Sequence, residues 1–228
     1  DKEMAHVRLI LDLIFGEYNF IGTYIWKSMK GAKSNTFFTH NHTYIFTFAK
    51  DLAKFKKQRK NGGDAPVVQE SILDQYPDSI ETRISLHNSL GAIIPPELIR
   101  FLNPKPLELL RFLLQSWAPH PDARVLDLFA GTGSLLLATI LENLEYLEHL
   151  DVRLSSGTAT ATRQTIGCQY PFALSDFFRI QNQGTTEFRH RCFTELTLQR
   201  LQYEFKANQW NRKTQIRVYQ QILKPRTL

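Results

Sequence analysis

The run of residues 123–140, which reads ARVLDLFAGTGSLLLATI, constrains the fold more than any other part of the chain. A continuous apolar strand ends near Asp127, a tight loop follows with Gly131 and Gly133, and a leucine-rich helix comes next. Such a strand is typical of a parallel sheet buried on both faces, and strand, loop and helix together predict a βα unit. Because open α/β folds bind ligands at the carboxyl edge of the sheet, this loop is the first candidate for a binding site.

The residues of the loop suit close contact with a ligand. Gly131 and Gly133 allow tight backbone angles and a close approach. The following helix offers free N–H groups and a positive dipole end, and Ser134 is placed to cap it. Asp127 ends a strand expected to be buried, where an unpaired carboxylate is costly, so a bound cationic group is one candidate partner. On its own, a Gly-x-Gly sequence also fits an ordinary tight turn.

The rest of the chain supplies further elements for a mixed α/β fold. Apolar residues at helical spacing predict a first helix that Gly16 ends, and alternating aromatic and β-branched residues predict a strand at Thr43–Phe48. The other predicted elements are a strand at TYIWK, short helices in IIPPELIRFL and NPKPLELLRFLLQSWA, a strand in RQTIGCQ and an amphipathic helix in FTELTLQRLQYEF.

Positive charge is concentrated along the chain rather than spread evenly. The net charge is +6, and residues 50–60 hold six basic side chains against the single acidic Asp51. This run fits either contact with a phosphate backbone or the solvated face of a helix. Phe55, which lies within it, can pack against protein or stack on a base.

Composition favours a globular protein that is stabilised without disulfide bonds or a structural metal. The chain is 43% hydrophobic, enough to bury a core, and its two cysteines have the spacing of neither a disulfide framework nor a zinc site. No apolar run is long enough to cross a membrane and no signal peptide opens the sequence, so we expect a cytoplasmic protein without a membrane partner. We expect no metal site.

Four ordered segments together resemble a known family. VLDLFAGTGS, residues 125–134, looks like the S-adenosyl-L-methionine (AdoMet) loop of DNA amino-methyltransferases whose motifs are permuted, such as type III restriction-modification enzymes. LILDLIFGEYNFIGTYIWK is similar to the segment that follows their catalytic motif, and NHTYIFTFAKD to the strand before their DNA-recognition region. NPKPLELLRFLLQSW is similar to their lysine-proline motif at the AdoMet pocket.

The resemblance implies a cofactor site and its residues. The residues that would contact AdoMet are Lys105, Pro106, Asp127, Phe129, Gly131, Gly133, Ser134 and Gln169. Gln169 would hold the ribose hydroxyls where the family has an acidic residue, and Glu148 and Asp151 are rival candidates. Outside the resemblance, Phe129 fits a core residue and Lys105 a solvated surface lysine.

The resemblance also implies a fold class and a division of the chain. We expect part of a Rossmann-like methyltransferase sheet with an inserted recognition region that stands apart from it. The implied segments are core at 1–50, target recognition at 51–98, the AdoMet-binding half of the core at 99–180, and a basic C-terminal helix and tail at 181–228. The expected DNA-contacting residues are Lys54, Lys56, Lys57, Arg59 and Lys60.

One motif of the family is missing from the sequence. The catalytic motif is Asp, Asn or Ser, then Pro-Pro and an aromatic residue, which holds a flipped base. The only Pro-Pro pair is Pro95-Pro96, between Ile94 and Glu97, and it reads better as a helix start. In the family the motif would lie upstream of Asp1, so no catalytic residue is expected in this chain.

Three functions follow from these observations. The favoured one is a site-specific DNA methyltransferase fragment, adenine-N6 rather than cytosine-N4, from a restriction-modification system. It would need an upstream methyltransferase segment or a partner chain to be active, and the expected partners are DNA and such a segment, a second modification subunit or a restriction subunit. The second is a catalytically inactive DNA-binding relative. The third is a different α/β enzyme whose loop holds another nucleotide, against which the Lys105-Pro106 segment argues.

Overall fold

The computed structural model describes residues 3–29, 41–60, 70–78, 88, 104–120, 123–129, 131–151, 164–167, 200–204 and 206–207. In chain order the helices and strands are α1 (Met4–Phe15), β1 (Phe20–Lys27), β2 (His42–Phe48), α2 (Leu52–Lys60), β3 (Ile72–Leu73), α3 (Leu107–Trp117), β4 (Arg124–Asp127), α4 (Ser134–Asp151) and β5 (Gln164–Gly167). Residues 200–204 and 206–207 are also helical and are called the C-terminal helical segment. The predicted helix in IIPPELIRFL lies outside the described residues.

The first sheet has the strand order β2-β1-β3 and is built on aromatic and β-branched residues. β1 pairs antiparallel with β2, and Ile25 and Trp26 pair in parallel with Ile72 and Leu73 of β3. The strands predicted at TYIWK and Thr43–Phe48 are confirmed as parts of β1 and β2. β3 lies within residues 51–98, which were expected to stand apart from the sheet. β3 nevertheless supplies backbone partners to the second edge of β1, and the division of the chain into core and recognition segments stays a prediction.

A buried cluster joins this sheet to α3. Tyr24, Trp26 and Leu73 pack with Leu109 of α3, and each is at most 4% exposed. Phe112 and Trp117, one and two turns further along α3, meet the Tyr24 ring edge-on. Burial of this apolar area against α3 stabilises the sheet.

Helix α1 turns its polar side towards the sheet. Gly16 ends the helix as predicted, with a φ of 83° and its N–H donating to the Asp12 carbonyl. The Arg8 guanidinium lies 3.6 Å from the centroid of the Phe20 ring and donates from Nε to Asp12. Leu13, by contrast, is 86% exposed. The outer face of α1 is therefore apolar, the reverse of an ordinary surface helix.

The second sheet confirms the predicted βα unit. β4 pairs in parallel with β5, with Asp127 opposite Gly167, and α4 lies between the two strands in sequence. Burial of β4 on both faces is wrong, because Leu126 is 59% exposed. Within the described residues β4 has β5 as its single strand neighbour, which leaves one edge and part of one face open. Whether both sheets belong to one Rossmann-like sheet stays a prediction.

The described helices also bear on membrane contact. Within the part of the chain that the structure describes, no helix combines the length and the apolar character of a membrane span.

The packing of α1 and α3 predicts a large loss of stability when a leucine of α3 is shortened and almost none when a leucine of α1 is replaced. Leu109→Ala should lower the free energy of unfolding by about 2–5 kcal/mol, because it leaves a cavity between β1 and α3. Leu13→Ser should change it by less than about 0.5 kcal/mol, because the Leu13 side chain is exposed. Urea unfolding followed by tryptophan fluorescence measures both. A large loss in Leu13→Ser would show that the outer face of α1 is covered in solution.

Candidate functional site

The loop between β4 and α4 has the backbone that its sequence predicts. Gly131 and Gly133 have φ angles of 55° and 75°, a region that residues with a Cβ rarely adopt. Asp127 Oδ1 accepts a hydrogen bond of 3.0 Å from the N–H of Phe129, which closes a local turn. Asp127 therefore has a backbone partner within the loop. Phe129 is 78% exposed, so its ring stands at the surface of the loop rather than in the core.

Helix α4 begins directly after this loop. The Gly133 carbonyl accepts the Leu137 N–H at 2.9 Å, and Ser134 is the first helical residue. The prediction that Ser134 caps α4 is wrong, because its hydroxyl belongs to the first turn and accepts a hydrogen bond from Arg200. The first N–H groups of α4 have no carbonyl partner within the helix and point towards the loop, where they favour an anionic group.

Arg200 supports the loop from within the protein. Its Nη1 donates to the Thr132 carbonyl at 3.2 Å, to Thr132 Oγ1 at 3.1 Å and to Ser134 Oγ at 3.0 Å. The side chain is 1% exposed, and burial lowers the pKa of Arg200, an effect that nearby Glu204 opposes. This residue was not predicted from the sequence, because an arginine in an amphipathic helix usually faces solvent.

Lys105 and Pro106 lie at the start of α3. The Lys105 ammonium lies 5.6 Å from the centroid of the Trp26 indole, which donates from Nε1 to the Tyr76 carbonyl. Burial lowers the pKa of Lys105, and the negative charge of Asp78 opposes the shift. Lys105 is therefore half-buried on an aromatic surface, not a solvated surface lysine. Pro106 is buried, and its carbonyl accepts the Leu110 N–H in the first turn of α3.

Contacts between α3 and α4 bring these two groups of residues together. Leu107, at the start of α3, packs against the buried cluster formed by Leu137 and Ile140, in the first two turns of α4, and Leu201 of the C-terminal helical segment. One turn further along α3, Arg111 Nε donates to Glu142 Oε1 at 2.6 Å. Because the contacts advance along both helices in the same direction, α3 and α4 start on the same side. The lysine-proline segment and the glycine loop therefore share one end of the helix pair.

The basic run of residues 50–60 lies mainly on α2, at the opposite end of α3. The N–H of Leu52 donates to Asn19 Oδ1, just before β1, and Phe55 stacks on Trp117 with ring centroids 6.0 Å apart. Phe55 thus packs against protein rather than presenting a free ring. The 11 residues of α3, about 16 Å of helix, separate this contact from Lys105.

The side chains of α2 that the structure describes are consistent with an outward basic face. Lys54, Lys56 and Lys57 are exposed. Asp51 receives the Lys54 N–H and lies 3.5 Å from its ammonium, and that backbone hydrogen bond is the main cause of the lowered pKa of Asp51. Arg59 and Lys60 form the end of α2.

The remaining predicted site residue is Gln169. It lies outside the described residues, two positions after β5 ends. Its rivals Glu148 and Asp151 belong to α4, which runs through to Asp151 instead of ending in a loop.

Comparison with known proteins finds one family. A family model described as DNA methylase matches residues 1–169, which include the glycine loop, the lysine-proline segment and both sheets. A search among curated proteins found no significant match. The C-terminal helical segment, with Arg200, lies beyond the matched residues.

The environment of Lys105 predicts a pH-dependent stability difference. A lysine pKa lowered by folding means that the charged form is disfavoured in the folded state. This effect is full at neutral pH and fades as the pH rises through the folded-state pKa. Lys105→Met should therefore be as stable as the wild type or more stable at pH 7, with the wild type gaining relative to it towards pH 10. Thermal unfolding at several pH values measures this, with exposed Lys27→Met as control. A clear loss of stability in Lys105→Met at pH 7 would contradict it.

Proposed function

The chain belongs to the DNA methylase family, and we propose that it binds AdoMet and DNA as part of an adenine-N6 DNA methyltransferase. The observation that carries the proposal is the shared end of α3 and α4, which places Lys105 and Pro106 on the same side as the glycine loop. A site divided between two helix starts and a strand end suits a ligand with one charged and one aromatic part.

The residues at this end fit the chemical groups of AdoMet. The start of α4 suits the cofactor carboxylate, and Asp127, whose Oδ1 already accepts the Phe129 N–H, has a second carboxylate oxygen for the cofactor amino group. The exposed Phe129 ring and buried Pro106 offer apolar surface for adenine. The bound cofactor would supply an electrophilic methyl group, and these residues would bind and orient it.

Lys105 and Gln169 have more specific proposed roles. Lys105 lies over the Trp26 indole. A ligand bound there would displace the remaining water from around the Lys105 ammonium. Gln169 would hydrogen-bond the ribose hydroxyls, as in the resemblance, with an uncharged amide in place of a carboxylate.

DNA would be held in part by the basic face of α2. Exposed Lys54, Lys56 and Lys57 are suited to phosphate contacts, which position a protein on DNA without reading its sequence. Arg59 and Lys60 continue the same helix. The length of α3, about 16 Å, separates this face from Lys105, or about five base pairs at 3.4 Å each. We therefore propose that α2 contacts phosphates away from the target base.

Transfer of the methyl group needs residues beyond those named so far. We propose that an upstream methyltransferase segment or a second modification subunit supplies the Pro-Pro-aromatic motif, in a restriction-modification system that can include a restriction subunit. The sequence around Pro95-Pro96 favours a second candidate, a catalytically inactive DNA-binding relative, because neither Ile94 nor Glu97 suits the chemistry of that motif.

The proposed AdoMet site is tested by calorimetric titration of AdoMet into the full chain. Asp127→Ala should weaken binding at least about tenfold, or 1.4 kcal/mol, because it removes both the negative charge and the acceptor for the Phe129 N–H. Asp127→Asn is the matched control, since it keeps an acceptor oxygen for the turn and removes only the charge. If the carboxylate pairs with the cofactor amino group, Asp127→Asn should also bind more weakly than the wild type. No binding to the wild-type chain would overturn the proposed cofactor site and favour the inactive relative.

The proposed DNA face is tested by the salt dependence of binding to duplex DNA. The double variant Lys56→Ala/Lys57→Ala should bind all sequences more weakly, with the salt slope reduced by about 1 for each phosphate that is no longer neutralised. Fluorescence anisotropy at several salt concentrations measures this. Arg124→Ala/Lys206→Ala, which removes two exposed positive charges elsewhere, controls for net charge. Equal slopes in both double variants would contradict the assignment of α2 to DNA.

A further inference from the structure

Arg200 determines how two hydroxyl groups of the glycine loop can hydrogen-bond. A guanidinium has only donors, so Thr132 Oγ1 and Ser134 Oγ must act as acceptors in their bonds with Arg200. Each hydroxyl then keeps its own hydrogen for a further acceptor. Among the described residues, no hydrogen bond uses either hydrogen. Thr132 and Ser134 are 6% and 8% exposed, so solvent reaches them poorly.

The charge around these hydroxyls favours an anionic acceptor. The Arg200 guanidinium is buried beside the start of α4, where the helix dipole is also positive. Burial lowers the pKa of Arg200, and Glu204 offsets this only in part. A carboxylate at the loop would receive two hydroxyl hydrogens and the N–H groups of the first turn, and would balance the buried cation.

We propose that Arg200 is a positioning residue for the cofactor loop, which it orients so that Thr132 and Ser134 donate to the carboxylate of the bound cofactor. The proposal rests on the proposed function of the loop. It names a residue beyond the part matched by the family model, contributed by a segment 68 positions after Thr132. Arg200 itself need not touch the ligand, since it acts through the two hydroxyls.

The proposal predicts a loss of affinity confined to ligands with a carboxylate. S-Adenosylhomocysteine and 5′-methylthioadenosine are both neutral thioethers, and the second lacks the amino-acid part. Arg200→Lys keeps the charge, but its shorter side chain cannot bring a donor to the position of Nη1, which contacts the Thr132 carbonyl and both hydroxyls. It should weaken S-adenosylhomocysteine binding to the full chain at least about tenfold, or 1.4 kcal/mol, and 5′-methylthioadenosine binding less than about threefold. Calorimetry, by competition where binding is weak, measures both.

Further variants keep the test valid if Arg200→Lys unfolds. Thr132→Val removes one hydroxyl at nearly constant shape and leaves Arg200 in place, so it should show the same ligand selectivity. Thr132→Ser restores the hydroxyl, so it should recover most of the S-adenosylhomocysteine affinity that Thr132→Val loses. Lys206→Met, in the same helical segment and exposed, controls for the positive charge. Circular dichroism and thermal unfolding verify that each variant is folded.

The outcomes separate the two proposals. If the wild-type chain binds neither AdoMet nor S-adenosylhomocysteine, the proposed function fails and this inference fails with it. If the wild type binds but the variants lose affinity for both ligands equally, Arg200 has only a structural role. Unchanged affinity for S-adenosylhomocysteine in folded Arg200→Lys and Thr132→Val would overturn the inference alone.

Discussion

The contact between α3 and α4 is the interaction on which the candidate site depends. Glu142 is 6% exposed and receives Arg111 Nε at 2.6 Å and Gln115 Nε2 at 3.1 Å on both of its oxygens. A buried carboxylate without such partners would be strongly destabilising, so the two helices have one favourable register. A buried ion pair adds little net stability compared with apolar packing, but its geometry specifies that register. In this register the two helix starts share one side.

Helix α3 also separates the proposed cofactor site from the basic helix α2. Its first residues follow Lys105 and Pro106, and its last residue, Trp117, stacks on Phe55 of α2. Because a helix of this length is rigid, the spacing between the two surfaces is nearly constant. A duplex that contacted both surfaces would have to be long enough to span them. The proposed roles in cofactor binding and phosphate contact are therefore tied to one structural element.

The features that the sequence predicted are those that depend on neighbouring residues. Gly16 ends α1 and the glycines of the loop adopt positive φ because these angles depend mainly on the residue itself. Strand β2 and the βα unit follow from periodicity over a few residues. Exposure of Leu126 was not predicted, because burial depends on which strands and helices lie beside β4. The pairing of β3 with β1 was missed for the same reason, since two residues give no recognisable pattern.

The sequence by itself determined the glycine loop, its place between a strand and a helix, and the resemblance to DNA methyltransferases that the family match supports. Only the tertiary structure decided that Lys105 rests on Trp26, that Phe55 faces Trp117, and that Arg200 holds Thr132 and Ser134. The physical reason is the separation in sequence of the residues that interact. Backbone angles and periodicity are local, whereas the partner of a buried cation is chosen by whichever acceptors the folded chain brings within about 3 Å. For Arg200 those acceptors lie 66 and 68 residues earlier.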